Sequence, residues 1–322
     1  MRLRLGRPDV QAYAGLRDLT PAVPGATPAD GPSVTWLGVS TVLLDDGKSA
    51  VLTDGFFSRP GLLRTGLGRL VPDEARIDQA LGRAGIDRLD AVLPVHTHYD
   101  HVLDSATVAA RTGALVVGGE STALVARGHG LPEDRIRVVA AGETLTIGAY
   151  EITLVEGSHC PPDRFPGRIT EPVPRRARST AYRCGEAWST LLHHVPSGRR
   201  LMVQGSAGCV PGNLAGHRAE VVYLGIGQLG LMEPAYVEQY WAETVGRVGA
   251  QDVVLVHWDD FFRSLTAPVR GLPYAGDDLD VTMERLGRLA QRDGVRLHLP
   301  ELWVRTDPWA TSGARAADGE AG

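Results

Sequence analysis

The chain is poor in cysteine, with three residues, Cys160, Cys184 and Cys209, odd in number and unevenly spaced. They do not read as a disulfide framework, so a reducing cytoplasm is the expected setting. No apolar run approaches the roughly 18 residues that mark a membrane-crossing helix, and no span is expected. Behind the charged start Met1-Arg2-Leu3-Arg4-Leu5-Gly6-Arg7-Pro8 there is no apolar segment, so no signal peptide is expected either. Basic charge is not in excess. A net charge of −5 and a pI of about 6.1 argue against nucleic acid as the main partner.

What is present is a chain of 322 residues, 43% hydrophobic and 22% charged. That is long enough for one large domain, or two ordinary ones, with a substantial core. Residues 1–33 show no sustained period and read as an irregular N-terminal arm, followed by a single domain over 34–304. Short β-branched runs at 34–37, 41–44 and 50–53 read as strands, with Asp45-Asp46-Gly47-Lys48 as a hairpin turn. Residues 59–71 are rich in Gly and Leu and suggest a flap near the site. A helix is predicted from Asp73, with Ile77, Ala80, Leu81 and Ala84 on one face. Further helices are predicted at 102–111, 121–127, 234–248 and 279–292. Strands are predicted at 91–95, 114–117, 144–147, 150–155, 179–182, 188–195, 200–204, 220–224 and 252–256. Residues 305–322 read as a disordered polar tail. Periodicity alone implies α/β or α+β.

The chemistry concentrates in His96-Thr97-His98-Tyr99-Asp100-His101, which follows the apolar run 91–95 and precedes a helical segment. In an extended loop, His96 and His98 project to the same side. Asp100 and His101 lie where the loop turns into helix and can face a second point. Such a hairpin of donors suits two divalent ions, roughly 3.5–4 Å apart in two-metal hydrolytic sites.

His-x-His-x-Asp-His after a strand resembles the signature of the metallo-β-lactamase-fold hydrolases. The resemblance runs from about Val34 to His257. Residues 36–44 with Leu52-Thr53-Asp54 resemble the opening of the branch that includes ascorbate 6-phosphate lactonase-like and N-acyl-phosphatidylethanolamine phospholipase D-like proteins. The fold this implies is an αββα four-layer sandwich. The resemblance also implies that His159 joins His96 and His98 as a three-histidine zinc site with water in the fourth position. It implies that His257 joins Asp100 and His101 around a second ion, and that Asp54 braces the metal loop by hydrogen bonds. Asp259 and Asp260 read equally as acceptors that orient the ligand histidines or as ordinary loop carboxylates.

Two positions depart from the pattern. Where dinuclear members carry a bridging aspartate after Gly, this chain has Ser206 after Gly205. A neutral hydroxyl is not a usual zinc ligand, so a weaker second site is expected, unless Ser206 itself coordinates or Cys160 or Cys209 compensates. Val39 stands where the lactonase-like branch often has histidine. His193, His194 and His217 read as structural.

The segment 160–178 is stiffened by prolines and carries Arg164, Arg168 and Arg176 among its cations. Guanidinium matches phosphate or carboxylate bidentately, so this loop is a candidate clamp for an anionic small-molecule substrate. The blander reading, a solvated loop or a contact in a homo-oligomer, is favoured over the clamp.

The expected activity is metal-dependent hydrolysis of a small ester, lactone, amide or phosphodiester. Zinc, or manganese or iron in its place, would lower the pKa of bound water, and Asp100 and His101 would be the catalytic pair. A lactone or other cyclic ester is favoured by the branch resemblance. The alternative is a metal- and ligand-binding protein with little turnover, suggested by Ser206. Nuclease activity ranks third.

Overall fold

The computed structural model describes residues 4–23 and 30–310. The first strands are β1 (Thr20–Pro21), β2 (Ser33–Trp36), β3 (Val42–Asp45), β4 (Ala50–Thr53), β5 (Ala91–Leu93), β6 (Leu115–Gly118) and β7 (Ile136–Val138). The later ones are β8 (Thr144–Ile147), β9 (Tyr150–Glu156), β10 (Trp188–His194), β11 (Arg199–Gln204), β12 (Val221–Gly225), β13 (Asp252–Val256), β14 (Arg296–His298) and β15 (Arg305–Asp307). They form an eight-stranded sheet, β1-β15-β2-β3-β4-β5-β6-β7, and a seven-stranded sheet, β14-β13-β12-β11-β10-β9-β8.

The alternation of side chains along a strand explains the layering. Val42, Leu44, Val51, Ala91 and Leu93 face a core shared with Tyr150, Ile152 and Met202 of the second sheet. Their neighbours Leu43, Leu52 and Val92 face the other way, onto Ile77, Leu81, Val108 and Ala126. Those last residues belong to α2 (Glu74–Ala84), α4 (Ser105–Thr112) and α5 (Glu120–Gly128), which cover the outer face of the first sheet. The second sheet is covered by α6 (Pro234–Trp241) and α7 (Leu279–Asp293), through Val237, Trp241, Leu286 and Leu289. The result is the four-layer αββα sandwich expected from the motif. Among the described residues no helix is long and apolar enough to cross a membrane.

Local signals account for several boundaries. The Asp73 side chain caps α2 by accepting from Arg76 N, and Gly85, with φ 67°, closes it in the left-handed conformation. Asp278 caps α7 in the same way, accepting from Val281 N.

Other expectations are corrected. The N-terminal arm is not wholly irregular: Val10–Leu16 forms a 3₁₀ helix, and β1 pairs with β15. Residues 305–310 of the presumed tail are ordered around β15, which adds to β2; residues 311–322 lie outside the described residues. Ser179–Ala181 is a 3₁₀ turn instead of a strand. The helix expected after the metal loop is broken into α3 (Tyr99–Val102) and α4. The segment 59–71 holds a short helix, α1 (Leu62–Leu67), whose Leu62, Leu63 and Leu67 are exposed.

Candidate metal centre

Five candidate residues lie one to three positions beyond the C-terminal end of a strand: Asp54 after β4, His96 after β5, His159 after β9, Ser206 after β11 and His257 after β13. Within each sheet these strands run the same way. β4 and β5 are parallel, as are β11, β12 and β13, and β9 reaches β11's direction through two antiparallel pairings. Two sheets aligned in this way deliver all five loops to one edge of the sandwich.

There the expected ligands gather into two groups, and a third set, His98, Asp163 and Cys184, overlaps the first at His98. His96, His98 and His159 place one ligand atom each within 4.8 Å of one another, and so do Asp100, His101 and His257. His96 Nε2 stands 3.1 Å from His98 Nδ1, and His101 Nε2 stands 3.3 Å from His257 Nε2. Two imidazole nitrogens on one tetrahedral ion, with bonds of about 2.0–2.1 Å, are separated by about 3.3–3.4 Å.

The tautomers agree with a cation at this place. His159 Nδ1 donates to Cys160 O at 2.6 Å, leaving Nε2 with its lone pair. His101 Nδ1 donates to Asp54 Oδ2 at 2.8 Å, leaving its Nε2 free. His98 Nε2 faces Asp163 Oδ1 at 3.2 Å, which leaves Nδ1 for the first group. Lone pairs converging in a buried pocket repel each other unless a cation sits between them. The side chains present therefore fit a metal pair.

The electrostatics of the groups differ. Burial and the surrounding imidazoles hold His96 well below its ordinary pKa, and burial holds His98 down. Burial likewise pushes His159 down to about 4. In the second group burial opposes charge but is outweighed. His101 and His257 hold Asp100 far below the usual carboxylate range, and Asp54 and Asp100 raise His101.

Asp54 is a brace. Fully buried, it accepts from Ser40 Oγ at 2.7 Å, Val95 N at 2.9 Å and His101 Nδ1. Its φ is 53°, and Val39 and His257 also adopt left-handed backbone, at 50° and 61°. For a β-branched residue such as Val39 this conformation is an outlier, of order 1–3 kcal/mol, and such strain clusters at functional sites. Here it serves a backbone clasp. Val39 O accepts from His257 N at 2.9 Å, and Val39 N donates to Asp259 Oδ1 at 2.9 Å. Asp259 thus supports His257 through backbone, and its other oxygen lies 2.7 Å from buried Arg59.

Ser206 lines the cleft, and its Oγ accepts from Cys160 N at 3.2 Å, holding the loop that carries His159. The compensating thiols do not materialise. Neither Cys160 nor Cys209 joins a donor group, and burial pushes Cys160 up to about 12 and Cys209 to about 11, so both stay protonated.

The donors open onto a cleft of about 630 Å³, within the usual range for small-molecule sites of about 300–1,000 Å³. Of the three arginines expected there, only Arg164 lines it. Arg168 is exposed beside Glu186 at 3.7 Å, and Arg176 is exposed away from it. Arg7, Arg263 and Arg270 line the cleft instead. No local spacing signals them, because they come from opposite ends of the chain. Asp163 was also missed, hidden in the Pro/Arg-rich loop. His193 pairs with Glu151 at 2.8 Å and His194 with Asp46 at 3.0 Å, outside the cleft, as structural residues do. His217 is half-buried and also outside it.

The model of the Beta-lactamase superfamily domain matches residues 50–258, well over half of the chain. A UPF0173 metal-dependent hydrolase of Methylobacterium nodulans is 34% identical over 126 residues, 39% of this chain and 48% of that protein. One of Rhizobium etli is 31% identical over 126 residues, covering 39% and 47%. The alignments thus span about half the length of these curated relatives. Among solved structures, Igni18, a metallo hydrolase from Ignicoccus hospitalis, aligns over 84% of this chain and 95% of its own, with TM-score 0.52 and 16% identity. CmlA, a diiron β-hydroxylase from Streptomyces venezuelae, aligns over 86% and 54%, with TM-score 0.52 and 16% identity. At such identity the structures speak for the fold, while the domain match speaks for descent. The chain belongs to the β-lactamase superfamily and carries the metallo-β-lactamase fold.

Proposed function

We propose that the protein is a metal-dependent hydrolase acting on a small ester, lactone, amide or phosphodiester. The observation that supports this best is the convergence of six donors, His96, His98, His159, Asp100, His101 and His257, in two adjoining groups, with His98, Asp100, His159 and His257 lining one cleft. His96, His98 and His159 would hold the first ion, and Asp100, His101 and His257 the second. When bound, the ion supplies a Lewis acid and lowers the pKa of coordinated water.

The chain's own residues then have separable tasks. Asp100, kept anionic by its imidazole neighbours, accepts a hydrogen bond from the attacking water and orients it. Asp54 holds His101 in one tautomer, and Asp163, 3.2 Å from His98 Nε2, is placed to do the same for His98. Phe165, Phe261 and Phe262 line the cleft and exclude bulk water from the reacting centre.

A set of neutral imidazoles favours zinc. Iron is the first alternative, because CmlA, named a diiron enzyme, shares the fold; manganese is the second. Within the substrate class a lactone or other cyclic ester is favoured by the resemblance of residues 36–54 to the lactonase-like branch. The three protonated thiols suit a cytoplasmic setting. A metal- and ligand-binding role with little turnover is the second reading, supported by Ser206 in place of a bridging carboxylate.

The test is turnover of an ester, lactone and phosphodiester panel by metal-loaded protein, beside His96→Ala. Metal-dependent turnover lost in the variant supports hydrolysis. Stoichiometric metal with no turnover of any substrate favours the binding role, and absence of metal overturns both.

A further inference from the structure

The cleft wall is charged in a way that the metal site does not require. The whole chain has net charge −5, yet four guanidiniums, Arg7, Arg164, Arg263 and Arg270, line this one cavity. Besides the candidate ligand Asp100, Asp260 is the carboxylate in the lining. Four positive charges against that one leave an excess of three beside the metal floor.

Asp260 is built into the wall. Its side chain is 5% exposed, and it accepts from Arg7 Nη1 at 2.9 Å and from Arg270 Nε at 3.1 Å and Nη2 at 3.0 Å. Arg7 Nη1 also donates to Gly271 O at 2.8 Å. One buried carboxylate thus orients two guanidiniums, and each retains further N–H donors. Arg263 and Arg164 have no carboxylate partner among the described residues. Asp260 lies three residues after His257, so the loop that supplies the second metal group also sets the position of the arginines. The same lining includes the apolar side chains Phe165, Phe261, Phe262 and Leu272.

We propose that Arg7, Arg263 and Arg270, with Arg7 and Arg270 oriented by Asp260, form a subsite for an anionic group, phosphate or carboxylate, on a substrate whose scissile bond reaches the metal floor. This rests on the reading of the cleft as the hydrolytic site. Three unmatched guanidinium charges in a partly desolvated wall cost free energy when empty. A bidentate oxyanion offsets that cost and fixes the substrate's orientation. The apolar side chains in the lining and the volume of about 630 Å³ suit a compact, partly hydrophobic remainder of the ligand.

The experiment titrates metal-loaded protein with inorganic phosphate and with succinate by calorimetry. On the same preparations it measures metal content and the kcat/KM of a carboxylated ester against its neutral methyl ester. Arg263→Ala is the first variant because its side chain makes no bond that folding needs. Arg7→Lys and Arg270→Lys keep a cation near Asp260 while removing the bidentate fork. Arg168→Ala, outside the cleft, is the control.

The proposal expects Arg263→Ala and Arg270→Lys each to weaken anion binding about tenfold and to lower the anionic-over-neutral preference by a similar factor, with Arg168→Ala unchanged. Loss confined to phosphate, or to succinate, supports the subsite and identifies which anion it takes. Anion affinity and preference within twofold of the parent in all three variants overturn the subsite, even where metal and turnover persist. Protein without metal or turnover overturns the hydrolytic reading instead, so the two failures are distinguishable.

Discussion

The two halves of the metal floor use the same loop in opposite ways. His96 and His98 join His159 in a group of neutral imidazoles, lowered by burial and by one another. Asp100 and His101 join His257 in a group in which Asp100 is held low and His101 is raised, with Asp54 behind them. A neutral set offers lone pairs without first shedding protons. A charged set offers Coulomb attraction, but the raised His101 holds a competing proton more readily. The first half is therefore expected to hold its ion more tightly, and Ser206 in place of a carboxylate widens the gap.

Breaking the first half should have the largest effect. His96→Ala and His159→Ala are expected to bring turnover down to the uncatalysed background and to remove the tightly held ion, read by a substrate panel and elemental analysis. Intact metal content in both variants would defeat the assignment.

Ser206→Asp tests the gap between the halves from the other side. Metal per chain should rise from about one towards two, measured on protein purified without chelator. Two ions already present in the parent would mean that the second half needs no bridging carboxylate.

The bracing carboxylates should separate the halves more gently. Asp54→Asn is expected to weaken the second ion by about 10–100-fold, and Asp163→Asn the first by a similar factor. Chelator competition on each variant reads this, and an Asp54→Asn effect on the first ion alone would contradict the pairing of His101 with Asp54.

Acid should release the ions in order. His101 is raised above the ordinary imidazole value of about 6.5, so falling pH puts a proton on the second half first. His159, pushed down to about 4, stays neutral far longer. Metal content after dialysis at stepped pH should fall in two stages. Simultaneous loss would mean that the halves titrate as one unit. At the small end, His193→Ala, on the solvent side of β10, should leave metal content unchanged and shift stability by less than about 0.5 kcal/mol.

Much of the frame was legible because its signals are local. The six-residue motif carries four donors at a spacing that an extended loop turning into helix must bring together. The apolar alternation in 42–53 marks which side of the strands meets the other sheet, and Asp73 announces α2 by its cap. The short pieces were not legible. β1, β7, β14 and β15 have two to three residues each, too few to establish a period, and they exist because a neighbouring edge offers hydrogen bonds.

By itself, then, the chain's order of residues determined the donor set, since the donors of the first motif are contiguous. Only the tertiary structure decided how that chemistry is framed. It set Asp163 behind His98, made Val39 a backbone clasp for His257, and exchanged Arg168 and Arg176 for Arg7, Arg263 and Arg270. The reason is distance along the chain. Arg7 and Arg270 meet on Asp260 across more than 250 residues between Arg7 and its partner, and no local period or spacing records a contact made only when two sheets close.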